Sequence, residues 1–427
     1  MKILLITAGA AGMYCGSCLR DNALAAALMA KGHDVLLLPL YTPTRTDEPN
    51  VSHQRVFFGG ISVYLQQRFY LFRKIPWILD RLWDSPLALR LASNRGIQTA
   101  PEQLGELTVS MLQGEHGLQS KEVRKLLTWL KQQSPPDVIN LPNALLMGLA
   151  EPLKSEFACP LFCTLQGEDL FLQGLEEQHR LRALQLIRAN LQFVDAFVAV
   201  SQFCADFMAE YIGIPRETMH VLPLGINVDG YPEAERSRSG LFKIGYLARI
   251  APEKGLHVLA ETYRKLRREW QLPESRLEVS GYLAPEHKGY LEGLQKQLGE
   301  WGLAGEFRYH GAPDRAGKIA FLKDIDVLSV PAPYDEPKGI FLLEAMAMGV
   351  PVVQPRRGAF TEIVQRTSGG LLVEPDSHDS LAEGIFSIYK DPALAETLGR
   401  SGREGVRNYY TVDHMAERML ECYKLFL

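Results

Sequence analysis

Residues 330–351 read VPAPYDEPKGIFLLEAMAMGVP, and this stretch decides how the rest of the chain is read. An apolar run ends at Val330, a loop broken by prolines follows, and a helix is expected to start near Lys338 and Gly339. Glu336 stands in the loop before that helix, and Glu344 lies about two turns along it. A glycine at a helix start lets a ligand approach the backbone closely, and the first-turn amides make an anion site. A phosphate bound there leaves Glu336 facing the group attached to it, while Glu344 on the inner helix face can accept hydrogen bonds from a sugar diol. By themselves the two acids would equally fit a loop acid that caps the helix and a solvated helix acid.

Outward from this stretch, short Val/Ile/Leu-rich runs alternate with longer helical patterns, the signature of parallel sheets covered by helices. In the first half the expected strands are 2–7, 33–40, 137–141, 160–165, 196–200 and 219–222, with helices at 17–31, 120–133, 144–157, 176–191 and 202–211. A second series runs through 243–247, 276–280, 307–310, 326–330, 350–354 and 370–373. Gly225, Asn227, Gly230, Pro232 and the polar run 233–240 carry turn chemistry. They divide the chain into halves of about 200 residues, each the size of one doubly wound domain. The expected organisation is a first Rossmann-like domain over 1–225, a second over 226–405, and a terminal helix over 406–427 that packs back on the first.

The composition agrees. With 427 residues, 46% hydrophobic and 22% charged, the chain has apolar mass for two sizeable cores, which excludes a disordered chain or a small disulfide scaffold. A formal charge of −4 argues against a dedicated nucleic-acid binder. Six cysteines are too few for a disulfide framework and point to a reducing compartment. No apolar run reaches the roughly 18 residues that a membrane-spanning helix needs. The N-terminal run Ile3–Ile6 is only a strand long and leads into glycines rather than a cleavage site, so a cytoplasmic protein is expected.

Three further features ask for a role. Arg249 and Lys254 share one loop after strand 243–247; two cations at the carboxyl edge of a parallel sheet suit a diphosphate, although exposed surface cations would look the same. Cys15-Gly-Ser-Cys18 has a redox-type spacing at a helix start, without the thioredoxin strand order around it; a metal site adding Cys159 and Cys163 lacks a matching histidine. Residues 55–96 are rich in aromatics, and between 51 and 100 seven Lys/Arg stand against two acids, a local charge of +5. That segment fits an inserted helical lobe with a solvated basic face, or a surface for an anionic acceptor or a membrane interface.

Glu336 and Glu344, with the AMAMGVPVV that follows, resemble the paired-glutamate motif of the retaining glycosyltransferases of family 4, whose GT-B fold joins two Rossmann-like domains across a cleft. The stretch GYLARIAPEKG at 245–255 resembles the family's strand–loop–helix that grips the donor diphosphate. Gly32-His33-Asp34-Val35, Ser201, Leu224-Gly225-Ile226-Asn227 and the run from Gly358 to Glu362 match in order, so the resemblance covers nearly the whole chain. It implies a nucleotide-diphosphate sugar as co-substrate, with UDP and a hexose favoured by the breadth of the family. Arg249, Lys254 and the amides at Gly339 and Ile340 would hold the diphosphate, helped by Gly16 and Lys338. Glu336 would hold the sugar and Glu344 the ribose. Residues 224–230 would be the hinge on which the cleft closes. A glycan, lipid or small-molecule acceptor, no cofactor and no donor-bound metal are expected.

Two departures from the family matter. Its first-loop glycine pair falls on Cys15 and Gly16, so one glycine is replaced. Gln166, in the run Thr164-Leu-Gln-Gly-Glu-Asp169, stands where the family commonly has histidine, and glutamine cannot exchange a proton near neutrality. Either hydrogen bonding suffices there, or Glu168 or Asp169 supplies the acceptor-side group. Asp324-Ile-Asp326 forms the metal motif of another glycosyltransferase fold, but its place at a helix–strand junction reads as structural. An epimerase of the same fold, or a non-catalytic sugar-nucleotide or glycan binder, remains the alternative to transfer.

Overall fold

The computed structural model describes residues 1–9, 16–58, 101–231 and 240–427, in two compact units: Met1–Pro223 with Met415–Leu427, and Leu224–His414. Each unit is built on one six-stranded parallel sheet covered by helices, the Rossmann-like architecture expected from the alternating pattern.

In the first unit the strands are β1 (Lys2–Thr7), β2 (Asp34–Pro39), β3 (Val138–Leu141), β4 (Leu161–Leu165), β5 (Ala196–Ala199) and β6 (Met219–Val221), ordered β2-β1-β3-β4-β5-β6. Every residue of β3, β4 and β5 is buried, which is why they read as unbroken apolar runs rather than alternating ones. The helix Gly16–Ala30 carries the chain from β1 to β2. The helix Val412–Lys424 belongs to this unit from Met415 on: Tyr423 and Phe426 set their rings edge-on to Phe162 of β4, at 4.9 and 5.1 Å, and Glu417 pairs with Lys31 at 2.9 Å. Residues 406–414 belong to the second unit, where Ile226 bridges Thr411.

Three helical details differ from expectation. The helix Pro101–Leu112 was not expected, since Gly105 and the adjacent Thr108 and Val109 give it poor local propensity. Packing overrides this: a Cβ on Gly105 would stand 2.6 Å from the His179 ring, so the glycine lets this helix close on the helix Glu177–Asn190. The single helix expected over 144–157 is a 3-10 segment, Ala144–Leu149, followed by the α-helix Ala150–Glu156. Pro152, lacking an N–H, cannot tie the later turn to the earlier one. The helix expected over 202–211 is α-helical from Gln202 to Met208 and ends in a π turn over Ala209–Gly213.

The second sheet holds β7 (Phe242–Leu247), β8 (Ser275–Ser280), β9 (Phe307–Tyr309), β10 (Val327–Leu328), β11 (Val352–Pro355) and β12 (Gly370–Val373), ordered β12-β11-β10-β7-β8-β9. β10 is shorter than the 326–330 expected, although the Ser329 amide still donates to the Gly245 carbonyl at 2.9 Å. The strand order reverses between β10 and β7, so the crevice at their carboxyl ends is a topological switch point, where open α/β sheets bind ligands. Asp324 and Asp326 lie at the opposite end of these strands. Asp326 accepts the Lys243 amide at 2.8 Å, and Asp324 pairs with the Lys243 ammonium at 2.5 Å.

Candidate active site

The loop that leaves β7 is braced from beneath. The hydroxyl of Tyr246, which is wholly buried, donates to the Arg249 carbonyl at 3.1 Å. A 3-10 turn, Pro252–Lys254, brings Lys254 round, and Gly255 takes φ 73° before the helix Leu256–Arg268 begins. A Cβ on Gly255 would lie 2.0 Å from the Pro331 carbonyl oxygen, so the glycine allows the loops after β7 and β10 to touch.

At that junction three groups meet. The Lys254 ammonium donates to the Tyr334 hydroxyl at 2.6 Å, pairs with Oε2 of Glu336, and lies 4.9 Å from the centre of the Tyr334 ring. Tyr334 in turn donates its hydroxyl hydrogen to the same Oε2. Burial alone would push the Glu336 carboxyl up. The Lys254 charge and hydrogen bond, the Tyr334 hydroxyl and the Lys338 charge overcome this and hold it at about 2. Burial first, and then the Glu336 charge and hydrogen bond, push the Tyr334 phenol far up, so it stays protonated. Gly358, at φ 47°, opens the helix Gly358–Thr367 directly over Glu336: a Cβ there would meet the Glu336 carbonyl at 2.5 Å, and the Ala359 amide donates to that carbonyl at 2.8 Å. Arg249 is half exposed and pairs with Glu253 at 3.1 Å.

Gly339 takes φ 70° as the residue before the helix Ile340–Ala347, and no N-cap side chain bonds into its first turn. Glu344 lies on that helix, buried, with Oε1 paired to the Lys318 ammonium at 2.5 Å. Motif reading missed Lys318 and Tyr334. Lys318 belongs to no motif on the helix Arg315–Asp324; its one signal is that a lysine on a largely buried face needs a partner. Tyr334, two residues before Glu336, reads from sequence only as part of the loop.

In the first unit, Gly16 begins the helix Gly16–Ala30 and is partly buried. The loop before it, with Cys15, lies outside the described residues, as do residues 59–96 of the basic and aromatic segment. The described end of that segment faces inward: Phe57 and Phe58 are buried, and Arg55 lies 5.0 Å from the Phe57 ring centre. Cys18 is buried beneath Thr7. Burial drives the Cys163 thiol well up and the Cys159 thiol to about 11, so neither offers a ready thiolate. Among the described residues no group of three His, Cys, Asp or Glu is placed to hold a metal ion.

Gln166, after β4, is buried, and its side-chain amide donates to the Pro142 carbonyl at 2.9 Å. That bond fixes the orientation, because a carbonyl can only accept, and leaves Gln166 Oε1 buried without a partner. Glu168 spans the same turn: Oε1 accepts the Ala144 amide and Oε2 the Gln166 amide, each at 2.9 Å. It therefore ties the loops after β3 and β4 together. Asp169 is partly exposed at the start of the short helix Asp169–Gln173.

Known proteins match this layout. The family described as glycosyl transferase 4-like domain matches residues 22–225, and the family described as glycosyl transferases group 1 matches residues 229–405. A phosphatidyl-myo-inositol mannosyltransferase of Mycobacterium tuberculosis is 30% identical over 221 residues, covering 50% of this chain and 55% of its own. A glycogen synthase of the same organism is 25% identical over 300 residues, covering 67% of this chain and 68% of its own. The chain spans about half the length of the mannosyltransferases it matches. Among solved structures, sucrose-phosphate synthase from Thermosynechococcus elongatus superposes with a TM-score of 0.71 at 21% identity, covering 99% of this chain and 98% of that one. Anabaena HepE, crystallised with UDP and glucose, superposes at 0.69 with 17% identity over the full length of both chains. These similarities share the two-domain GT-B fold.

Proposed function

Because the chain belongs to the family 4 glycosyltransferases, we propose that it is a retaining hexosyltransferase that draws its sugar from a nucleoside-diphosphate sugar, with UDP-hexose favoured. The acceptor is a hydroxyl of a glycan, a lipid or a small molecule. The observation that carries this reading is the cluster of Lys254, Tyr334 and Glu336 at the carboxyl ends of β7 and β10, with Arg249 on the same loop.

In this reading Lys254, Arg249 and the amides at Gly339 and Ile340 neutralise the diphosphate as charge develops on the leaving group, the kind of preorganised electrostatic stabilisation that usually dominates. Lys338 adds to that field, and Gly16 leaves room for the phosphates on the first domain. Glu344, steadied by Lys318, receives the ribose hydroxyls. Glu336 positions the sugar. A carboxylate held at about 2 by a lysine and a tyrosine is a poor nucleophile, which supports front-face attack over a covalent glycosyl-enzyme. The bond from the anomeric carbon to the phosphate oxygen breaks, the acceptor oxygen bonds to the same face, and the acceptor proton passes to the departing phosphate. Gln166 takes no proton; its free carbonyl oxygen suits a substrate hydroxyl rather than a phosphate. Of the acceptor-side candidates, Asp169 is the partly exposed residue, while both Glu168 oxygens accept backbone amides. No metal and no further cofactor enters the scheme.

HepE's complex with UDP and glucose supports the UDP-hexose preference, and a mycobacterial relative named as GDP-mannose-dependent makes GDP-mannose the other donor to test. The phosphatidylinositol relatives support a lipid acceptor among those screened. Among the described residues no helix is long and apolar enough to cross a membrane. We place the protein in the cytoplasm, with peripheral membrane contact through 55–96 as an extension of that reading. A thermal-shift screen over nucleotide sugars, then turnover with radiolabelled donor and candidate acceptors, tests the reading. At about 100 times its dissociation constant a ligand stabilises by roughly 2.7 kcal/mol. Label on a second molecule supports transfer. Label that stays on the nucleotide with an epimerised sugar, or no turnover with any acceptor, contradicts it.

A further inference from the structure

We propose that Tyr334 is a positioning residue of the donor site: its hydroxyl and Lys254 together hold Oε2 of Glu336 and leave Oε1 for a sugar hydroxyl. The inference rests on the donor-site reading above and goes further, because it gives the two Glu336 oxygens different tasks.

The direction of each hydrogen bond is forced. An ammonium has no acceptor, so the Tyr334 oxygen must accept from Lys254; an ionised carboxylate has no hydrogen, so the hydroxyl must donate to Glu336. Both bonds to the carboxylate reach Oε2, which makes the two Glu336 oxygens unequal. Oε2 is saturated by a cation and a phenol, and Oε1 is the one with accepting capacity left. Glu336 itself is only 3% exposed, so it cannot reorient freely once Oε2 is held. Lys254 spends two of its three N–H groups on Tyr334 and Glu336 and keeps the third for an incoming anion. The ammonium, 2.6 Å from the hydroxyl oxygen and 4.9 Å from the ring centre, stands off the hydroxyl edge of the ring, so its link to Tyr334 is the hydrogen bond. Removing the hydroxyl should therefore affect Glu336 while the Lys254 charge stays.

The variant that tests this is Tyr334→Phe, which keeps the ring and loses the hydroxyl. The Glu336 carboxyl is followed by carbon NMR in glutamate-labelled full-length protein, assigned by its absence in Glu336→Gln, and UDP and GDP binding is measured by calorimetry. In the native chain Glu336 should stay ionised to the acid limit of the folded state. In Tyr334→Phe it should titrate at least one pH unit higher, with the dissociation constant for the nucleotide within about twofold of the native chain. An unchanged Glu336 titration in Tyr334→Phe overturns the proposal. Failure of the native chain to bind either nucleotide overturns the donor-site reading instead, and the titration still decides whether the hydroxyl holds Glu336.

Discussion

Lys254 and Glu336 form a buried ion pair whose side chains are 12% and 4% exposed, and the sign of its pH dependence follows from that burial. Glu336 sits at about 2 in the folded chain against an ordinary 4.5, so its contribution to stability is complete above about 4.5 and fades as pH falls toward 2. Lys254→Met should reverse the sign. The carboxylate would be left buried without its cation, burial would raise its pKa above the ordinary value, and the variant should gain stability on acidification from pH 7 to 5 while the native chain does not. Chemical denaturation at the two pH values measures this, and parallel curves for the two proteins would refute the pairing. For ligand binding, Arg249→Ala and Lys254→Ala should each weaken nucleoside diphosphate binding by about 1.5–3 kcal/mol, the usual worth of a charge-assisted bond. Calorimetry with UDP and GDP checks this. Unchanged affinity in both variants would remove the diphosphate from this loop. The buried partner pays more than the exposed one in stability, since Arg249 is half in water and its pair with Glu253 is screened.

At the scale of elements, the same logic holds the first helix to its sheet. Asp21 accepts from the Thr7 hydroxyl at 2.9 Å and pairs with Arg20 at 3.0 Å, and both charged side chains are buried. Asp21→Asn leaves the Arg20 charge buried without compensation and should cost about 3–5 kcal/mol. A loss below about 1 kcal/mol in denaturant titration would show that Arg20 finds water or another partner. The elements themselves were largely legible. All twelve strands of the two sheets overlap the runs expected for them, and β3, β4 and β5, buried at every residue, are the ones whose continuous apolar sequence follows from burial on both faces. Boundaries were less legible where side chains intervene, as at Pro152, which splits one expected helix in two. The helix Pro101–Leu112 was illegible for another reason: its stability comes from closing on a neighbour some 70 positions away, and nothing local announces that. The site divides in the same way. Glu336, Glu344, Arg249 and Lys254 stood out because a motif gathers them. Tyr334 lies 80 positions from the lysine it supports, and Lys318 lies 26 from the glutamate it pairs with. Only the folded sheet brings those residues together.

On the scale of the molecule, each Rossmann-like domain carries its own group of candidate residues. The second places its cations and carboxylates at the switch point between β7 and β10, and in the first Gln166 and Glu168 follow β4. The chemistry assigned to this arrangement turns on one feature, a Glu336 that positions and does not attack, together with a glutamine that cannot act as base at 166. Both point to attack on the face the diphosphate leaves. The most direct test is proton NMR of the first-formed product, recorded before any spontaneous anomerisation, with the donor sugar's anomeric configuration known. The new linkage should keep the donor's configuration. An inverted anomeric centre would rule out same-face attack, and with it the role given to Glu336.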